Sequence, residues 1–266
     1  MTHPLIEARL DAAVLTLGLL RQPIGGVQIE FIESLADLLR GLATRPDVRV
    51  VLLQGELDLR LDLAHWHELR RTQAVRVHRA LQAIQGWRNL QLKTLPQAWL
   101  VVVDGPCTGV GLALLEGCDL ALCSPASVFS LSPEQGLWLG PDSEAGFNES
   151  PQPHRRGLLH AVAGQAMSGE QAQDLGWVTF CLADSELSPF LSDLTQSLLD
   201  KDPLALQFTK ETLAHVPQMG CDASVNYTAA KFAEIKARQA QAGGPSARST
   251  AISGFLAGQS KPGLKG

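Results

Sequence analysis

Apolar positions recur along this chain with two different periods, and the change of period divides it into elements. Ile29, Phe31, Ile32, Leu35, Leu38, Leu39 and Leu42 follow a helical repeat, which predicts a helix over 29–42. Short, largely apolar runs at 48–53 (ending at Gly55, with Arg49 the one charged position) and at 99–103 read as buried strands, and 13–17 as a shorter one. Between them, 19–28 is a loop broken by Pro23 and Gly25-Gly26, and 56–63 (ELDLRLDL) is read as another loop. A long helical stretch is predicted from about 64 to 93, with Trp66, Leu69, Ala80, Ile84, Trp87 and Leu90 along it, closed by Pro96. After the strand at 99–103, Asp104-Gly105 ends the run and a loop carries Gly109 and Gly111. An apolar turn of helix follows, and a strand opens near Asp119. A polar loop at 146–157 leads to a helix at 158–163. Ser168 and Gln171 form a capping-box pattern for a short helix that Gly176 stops, and 177–182 reads as a strand. Helices alone fill the rest: 187–199, 204–213, 224–242 and 249–257. The alternation predicts an α/β fold with parallel crossovers over 1–200 and a helical C-terminal region over 201–266.

Composition narrows the classes. Apolar residues make up 45% of the 266, enough for a sizeable core, while the charged fraction of 18% is low and suggests surface covered by partner subunits. No apolar run approaches the roughly 18 residues of a membrane span, and the opening MTHPLIEARLDAAV lacks the basic flank and apolar core of a signal peptide. The five cysteines form no CxxC pair and sit mostly in apolar segments, which points to a reducing, cytoplasmic setting. A net charge of −5 argues against nucleic acid as a partner. From residue 210 onward, however, seven basic residues face three acids, a net +4 on a body of −9. That segment is either a seat for a phosphate-bearing ligand or a solvated helical face.

The strand, glycine loop and helix at 99–117 are a way of aiming backbone N–H groups at an oxygen or anion. Glu116, Glu134 and Asp142 supply carboxylates in or after it. The loop lacks the third glycine and the later acid of a dinucleotide-binding unit. His65 and His67 flank Trp66 at helical spacing and, with His78, make no metal pattern; no metal is expected.

The stretch VDGPCTGVGLALLEGCDLALCSPASVFSL resembles the enoyl-CoA hydratase/isomerase, or crotonase, superfamily. Asp104-Gly105, Gly109-Val110-Gly111, Cys118-Asp119-Leu120 and Phe129 stand on its pattern. MSGEQAQDLGWV, DKDPLALQFTKETL, VRVVLLQG and Leu61-Asp62-Leu63 are similar to further family segments, so the resemblance covers nearly the whole chain. The ending, NYTAAKFAEIKARQ and RSTAISGFLAGQSKPGL, resembles that of hydroxycinnamoyl-CoA (feruloyl-CoA) hydratase/lyases. The resemblance implies a spiral of β-β-α units with a helical C-terminal trimerisation region, a homotrimer or homohexamer, and an acyl-CoA thioester substrate with coenzyme A as part of it. It implies no separately bound cofactor. The loop PIGGVQ lacks the basic residue that family members carry there, which weakens CoA binding or allows the same phosphopantetheine arm on a carrier protein.

It also implies roles. The amides of Leu61 and Val110 would form an oxyanion hole for a thioester enolate. Arg60 and Val110 replace family glycines, and a β-branched residue at 110 excludes a left-handed backbone there. The first family glutamate falls on Ala113, where feruloyl-type enzymes have a serine; the second matches Glu134, seven residues before Pro141. Asp142, eight after Glu134, stands where dienoyl-CoA isomerases carry an aspartate; it is alternatively a cap for the following segment. Trp66 and Tyr227 would shape the substrate end with Gly109, Gly111 and Ala113. Arg21, Lys210, Phe255 and Lys261 would meet CoA. Three readings follow: a hydratase or lyase working through Glu134, an isomerase or hydrolase using Glu134 with Asp142, and a non-catalytic binding or structural subunit of the same fold, which Ala113 favours.

Overall fold

The computed structural model describes residues 4–23, 26–87, 92–130 and 164–241, together with 253 and 256. They fall into two compact units, Met1–Leu199 and Asp200–Gly266.

The first unit is built on two sheets. Six strands form the larger: β1 (Ile6–Asp11), β2 (Val14–Leu19), β3 (Val50–Gly55), β5 (Ala98–Val103), β7 (Leu120–Cys123) and β10 (Phe180–Cys181), in that spatial order. Only β1 runs antiparallel; the others pair in parallel. Parallel strands are covered on both faces, which is why β5 reads AWLVVV and buries every residue. The smaller sheet has the order β4 (Leu57–Leu59), β6 (Pro106–Gly109), β8 (Val128–Ser130) and β9 (Met167–Ser168). Each strand of the smaller sheet up to β8 directly follows a strand of the larger one: β3 leads to β4, β5 to β6, β7 to β8. This is the β-β-α spiral that the resemblance implied.

Helix α1 (Ile29–Leu42) buries Ile29, Phe31, Ile32, Leu35, Ala36, Leu39 and Leu42, the stripe that its periodicity predicted. Gln97 fixes its C-terminal end against the foot of β5 by donating its side-chain amide to the carbonyls of Leu42 (2.8 Å) and Arg45 (3.2 Å).

Four features differ from the expectation. The helix predicted over 64–93 is two helices, α2 (Leu63–Thr72) and α3 (Ala74–Gly86), broken at Gln73 (φ −137°, ψ 50°). Neither glycine nor proline marks the break. α3 turns to bury Val77, Ala80, Leu81 and Ile84, whereas α2 buries only Trp66. The loop ELDLRLDL contains β4, and the loop at Pro106–Gly109 is β6. β1 precedes the first strand expected; its Ile6-Glu7-Ala8-Arg9-Leu10 alternation suits an edge strand, yet only Ile6 is buried. The strand expected over 177–182 shrinks to the two residues of β10. The polar loop at 146–157 and the helix at 158–163 lie outside the described residues, as does all but two residues of that at 249–257.

After α4 (Val110–Gly117) come α5 (Gly169–Asp174), whose Ser168/Gln171 capping box is formed, and α6 (Asp184–Leu199).

The described residues 200–241 of the second unit form a helical hairpin. α7 (Pro203–His215) starts with Asp202 accepting from the Ala205 amide at 2.8 Å and Pro203 in its first turn. A 3-10 turn at Val216–Gln218 leads to α8 (Cys221–Gln241), which has no buried residue and exposes Val225 and Phe232. Lys231 ties the two helices: its ammonium lies 2.9 Å from Glu211, 3.4 Å from Glu234 and 4.9 Å from the Phe208 ring centre.

Candidate active site

The ends of β4 and β6 bring the two expected amide donors to one place. The strands are parallel neighbours, with Leu59 paired to Gly109. Leu61 lies two residues beyond that pair on one strand, and Val110 one residue beyond it on the other. Clefts at the carboxyl ends of parallel strands are where such sheets bind ligands.

The direction of the Leu61 amide follows from the pairing on its far edge. Val27 and Leu61 form an isolated parallel bridge. The Val27 amide donates to Arg60 O (2.7 Å), and the Asp62 amide donates to Val27 O (3.4 Å). Residues 60 and 62 therefore face Val27. Because successive residues of a strand turn their N–H and C=O groups to opposite edges, Leu61 faces the other way, toward β6. Its N–H has no hydrogen-bond partner among the described residues. On β6 the Val128 amide donates to Gly105 O (3.1 Å), so residues 105, 107 and 109 face β8 and residues 108 and 110 face β4. Leu61 and Val110 thus lie at the same end of the paired strands β4 and β6.

Val110 does not distort the loop. The left-handed residue is Gly109 (φ 55°, ψ −121°), a conformation closed to side-chain-bearing residues, while Val110 opens α4 with an ordinary φ. The Val110 amide belongs to the first turn of the helix, whose N–H groups have no carbonyl one turn earlier in that helix. Gly111 allows α4 to lie directly on β4: a Cβ there would overlap the Leu57 carbonyl oxygen. Ala113 is buried in α4 and carries no proton-transfer group.

Arg60 turns outward. Its side chain is 62% exposed and pairs with Asp58 at 2.7 Å, leaving only its backbone in the bridge to Val27. The Thr108 hydroxyl, on the register partner of Asp58, donates to the same carboxylate. The Arg60 guanidinium, together with Thr108, holds the Asp58 carboxyl below the usual aspartate range. Cys107, on β6 and fully buried, has its thiol pushed up by burial and by the nearby Glu116 and Asp58, so it stays protonated.

Trp66 takes a different part from the one expected. It is fully buried, and its indole N–H, expected to serve the substrate end, donates to Val27 O at 2.8 Å. It therefore positions Val27, and through Val27 the direction of Leu61. No motif announces Val27; its partners become visible only in the folded chain. Trp66→Phe is expected to keep the ring and lose the donor, leaving Val27 O with the long Asp62 contact and costing about 1–3 kcal/mol. Urea unfolding measures this, and an unchanged midpoint with unchanged slope would show that the bond contributes nothing.

The other expected residues are scattered between the units. Arg21 is exposed just after β2. Lys210 is buried on α7. Tyr227 is half-buried on α8, its ring 5.8 Å from that of His215 and 5.8 Å from the Lys231 ammonium. Glu134, Asp142, Phe255 and Lys261 lie outside the described residues. β8 runs parallel to β6, with Thr108 paired to Ser130, so the strand that leads in sequence toward Glu134 ends at the same edge of the sheet as the two amides. Among the described residues no group of three or more His, Cys, Asp or Glu side chains is placed to hold a metal ion, and no helix is long and apolar enough to cross a membrane.

Two sheets wound as β-β-α turns, with a helical C-terminal region, define the crotonase fold. The sequence profile of the enoyl-CoA hydratase/isomerase family matches residues 21–242, and the chain belongs to that family of acyl-CoA-processing enzymes. It is 23% identical over 242 residues to the hydroxycinnamoyl-CoA hydratase-lyase of Pseudomonas fluorescens, covering 88% of this chain and 85% of that one. It is also 23% identical over 252 residues to the peroxisomal Delta(3,5)-Delta(2,4)-dienoyl-CoA isomerase of Arabidopsis thaliana, covering 86% and 87%. The crystal structure of an enoyl-CoA hydratase/isomerase from Marinobacter aquaeolei superimposes with a TM-score of 0.77 at 20% identity, over 97% of this chain and 98% of that one.

Proposed function

We propose that this chain is a hydratase or lyase acting on an enoyl-CoA thioester, aromatic or branched at its acyl end. The observation that carries the reading is the Leu61 amide, which has no partner among the described residues and is turned by the bridge to Val27 toward β6. A thioester carbonyl gains negative charge when its α- or β-carbon reacts, and two fixed donors facing one gap stabilise that charge as it forms. Water addition to the double bond then needs one proton-transfer group. Ala113 excludes the first family position, so Glu134 delivers and removes the proton. Tyr227 shapes the acyl end; Arg21, Lys210, Phe255 and Lys261 meet the CoA moiety. The protein assembles as a homotrimer or homohexamer, in keeping with the exposed Val225 and Phe232 of α8.

The similarity to a dienoyl-CoA isomerase, with the Glu134–Asp142 spacing, supports a second reading in which two carboxylates move a proton between carbons. Crowding of like charges would raise the pKa of one into the working range.

A panel of enoyl-CoA, cinnamoyl-CoA and dienoyl-CoA thioesters separates these. The hydratase/lyase reading expects loss of the conjugated double-bond absorbance with water uptake, or release of an aldehyde and acetyl-CoA. Double-bond migration without hydration would replace it by the isomerase reading. No turnover of any thioester, with no heat of CoA binding by calorimetry, would leave only a non-catalytic subunit.

A further inference from the structure

β7 ends on Cys123 and its edge neighbour β10 ends on Cys181, and the two residues are register partners. Partners on adjacent parallel strands carry their side chains on one face, with backbones about 4.8 Å apart. That lies within the roughly 4.4–6.8 Å between Cα atoms that a disulfide spans. Gly169, the first residue of α5, faces both: a Cβ there would lie 3.0 Å from the Sγ of Cys123 and 3.0 Å from the Sγ of Cys181. The two sulfurs therefore converge on a single point. The strand ends are held in register. The Leu182 amide donates to Cys123 O at 2.9 Å, and the Cys181 amide donates to the Gln173 side chain.

The pair is asymmetric. Cys123 is fully buried, whereas Cys181, on the edge strand, is half-buried and packs against the core. Neither cysteine belongs to β4, β6 or α4, the elements around Leu61 and Val110.

We infer that Cys123 and Cys181 form an oxidation site, a dithiol that hydrogen peroxide converts into an intramolecular disulfide. The Cys181 sulfur attacks one peroxide oxygen; the O–O bond breaks, one water leaves, and Cys181 becomes a sulfenic acid. The Cys123 sulfur then attacks the Cys181 sulfur. The S–S bond forms, the S–O bond breaks, and the hydroxyl leaves as a second water with the proton of the Cys123 thiol. One peroxide is reduced to two waters, and the two thiols together give up two electrons. Burial and the neighbouring Cys181 push the Cys123 thiol up to about 12, which keeps it protonated, and the more exposed Cys181 is the group an oxidant reaches first.

The test treats the full chain with hydrogen peroxide, quenches it, counts thiols in denaturant and maps linked peptides by mass spectrometry. Two of the five thiols should disappear together, with a Cys123–Cys181 peptide that dithiothreitol releases. Cys221→Ser, at an exposed position in the other unit, should lose the same two; Cys181→Ser should lose the cross-link. Wild-type protein that retains all its thiols overturns the inference. So does protein that over-oxidises Cys181 to sulfinic acid without a cross-link, or that links only through Cys221 between chains. Peptide mapping of the wild type decides the matter even if a variant fails to fold.

Discussion

Glu134→Gln is expected to lower kcat on the preferred thioester by about 10²- to 10⁴-fold, the usual contribution of a general acid–base group. The loss should fall at the severe end because the chain has no second carboxylate at the paired family position: Ala113 stands there, buried in α4. KM should stay near its wild-type value, since the amides of Leu61 and Val110 and the CoA contacts are untouched, so the lost interaction belongs to the transition state. Gln keeps the shape and the hydrogen-bonding capacity of Glu and removes only its ability to exchange a proton. Some rate should survive, because two preorganised donors stabilise an enolate whatever moves the proton. Steady-state kinetics on purified variants, with circular dichroism to establish folding, checks the outcome; turnover within about twofold of wild type removes Glu134 from the mechanism. Asp142→Asn then distinguishes the two enzyme readings. It should leave hydration nearly unchanged, whereas a two-carboxylate isomerase would lose activity to a similar extent with either change.

The parts of the fold legible in the sequence are those with strong periodicity or burial. The stripe of α1, the unbroken apolar run of β5 and the Ser168/Gln171 box are local patterns with one physical solution, and the structure adopts it. β4 and β6 were illegible for a physical reason: strands of three and four residues are too short for a period. They exist because β3 and β5 each feed a neighbour in the second sheet. The break at Gln73 was illegible because tertiary packing of α3 against α1 sets it, not a breaker residue. The candidate site divides in the same way. Resemblance singles out Leu61 and Val110, but the direction of the Leu61 amide depends on the bridge to Val27, and so on a contact some thirty residues away in sequence. Trp66 is conspicuous as a residue, yet its partner, a backbone carbonyl, leaves no trace in a motif. The concern raised by valine in a glycine loop dissolves once Gly109 is seen to carry the left-handed turn.

Gly111→Ala is expected to damage both stability and catalysis, and it links the fold to the proposed chemistry. The α4 backbone at Gly111 lies against the Leu57 carbonyl, so an added methyl group overlaps a backbone oxygen that cannot rotate aside. Relief requires α4 to lift from β4 or β4 to shift in its sheet. Overpacking in cores costs about 1–3 kcal/mol, and a clash with backbone belongs at or above the top of that range. At about 3 kcal/mol, a domain of this size should lose roughly 6–12 °C in Tm. Either displacement also widens or tilts the gap between Leu61 and Val110, because Val110 opens the helix and Leu61 extends β4. Misplacing one oxyanion donor costs about 10²- to 10³-fold in kcat. Gly41→Ala is the matching control. Gly41 lies in α1 with no atom within 4 Å of the added methyl, and alanine in a helix should stabilise by about 0.5–1 kcal/mol. Thermal unfolding of the two variants should therefore shift in opposite directions, while steady-state kinetics should fall for Gly111→Ala alone. If Gly111→Ala melts and turns over like wild type, α4 does not rest on β4 as described, and the Val110 amide loses its assigned place beside Leu61.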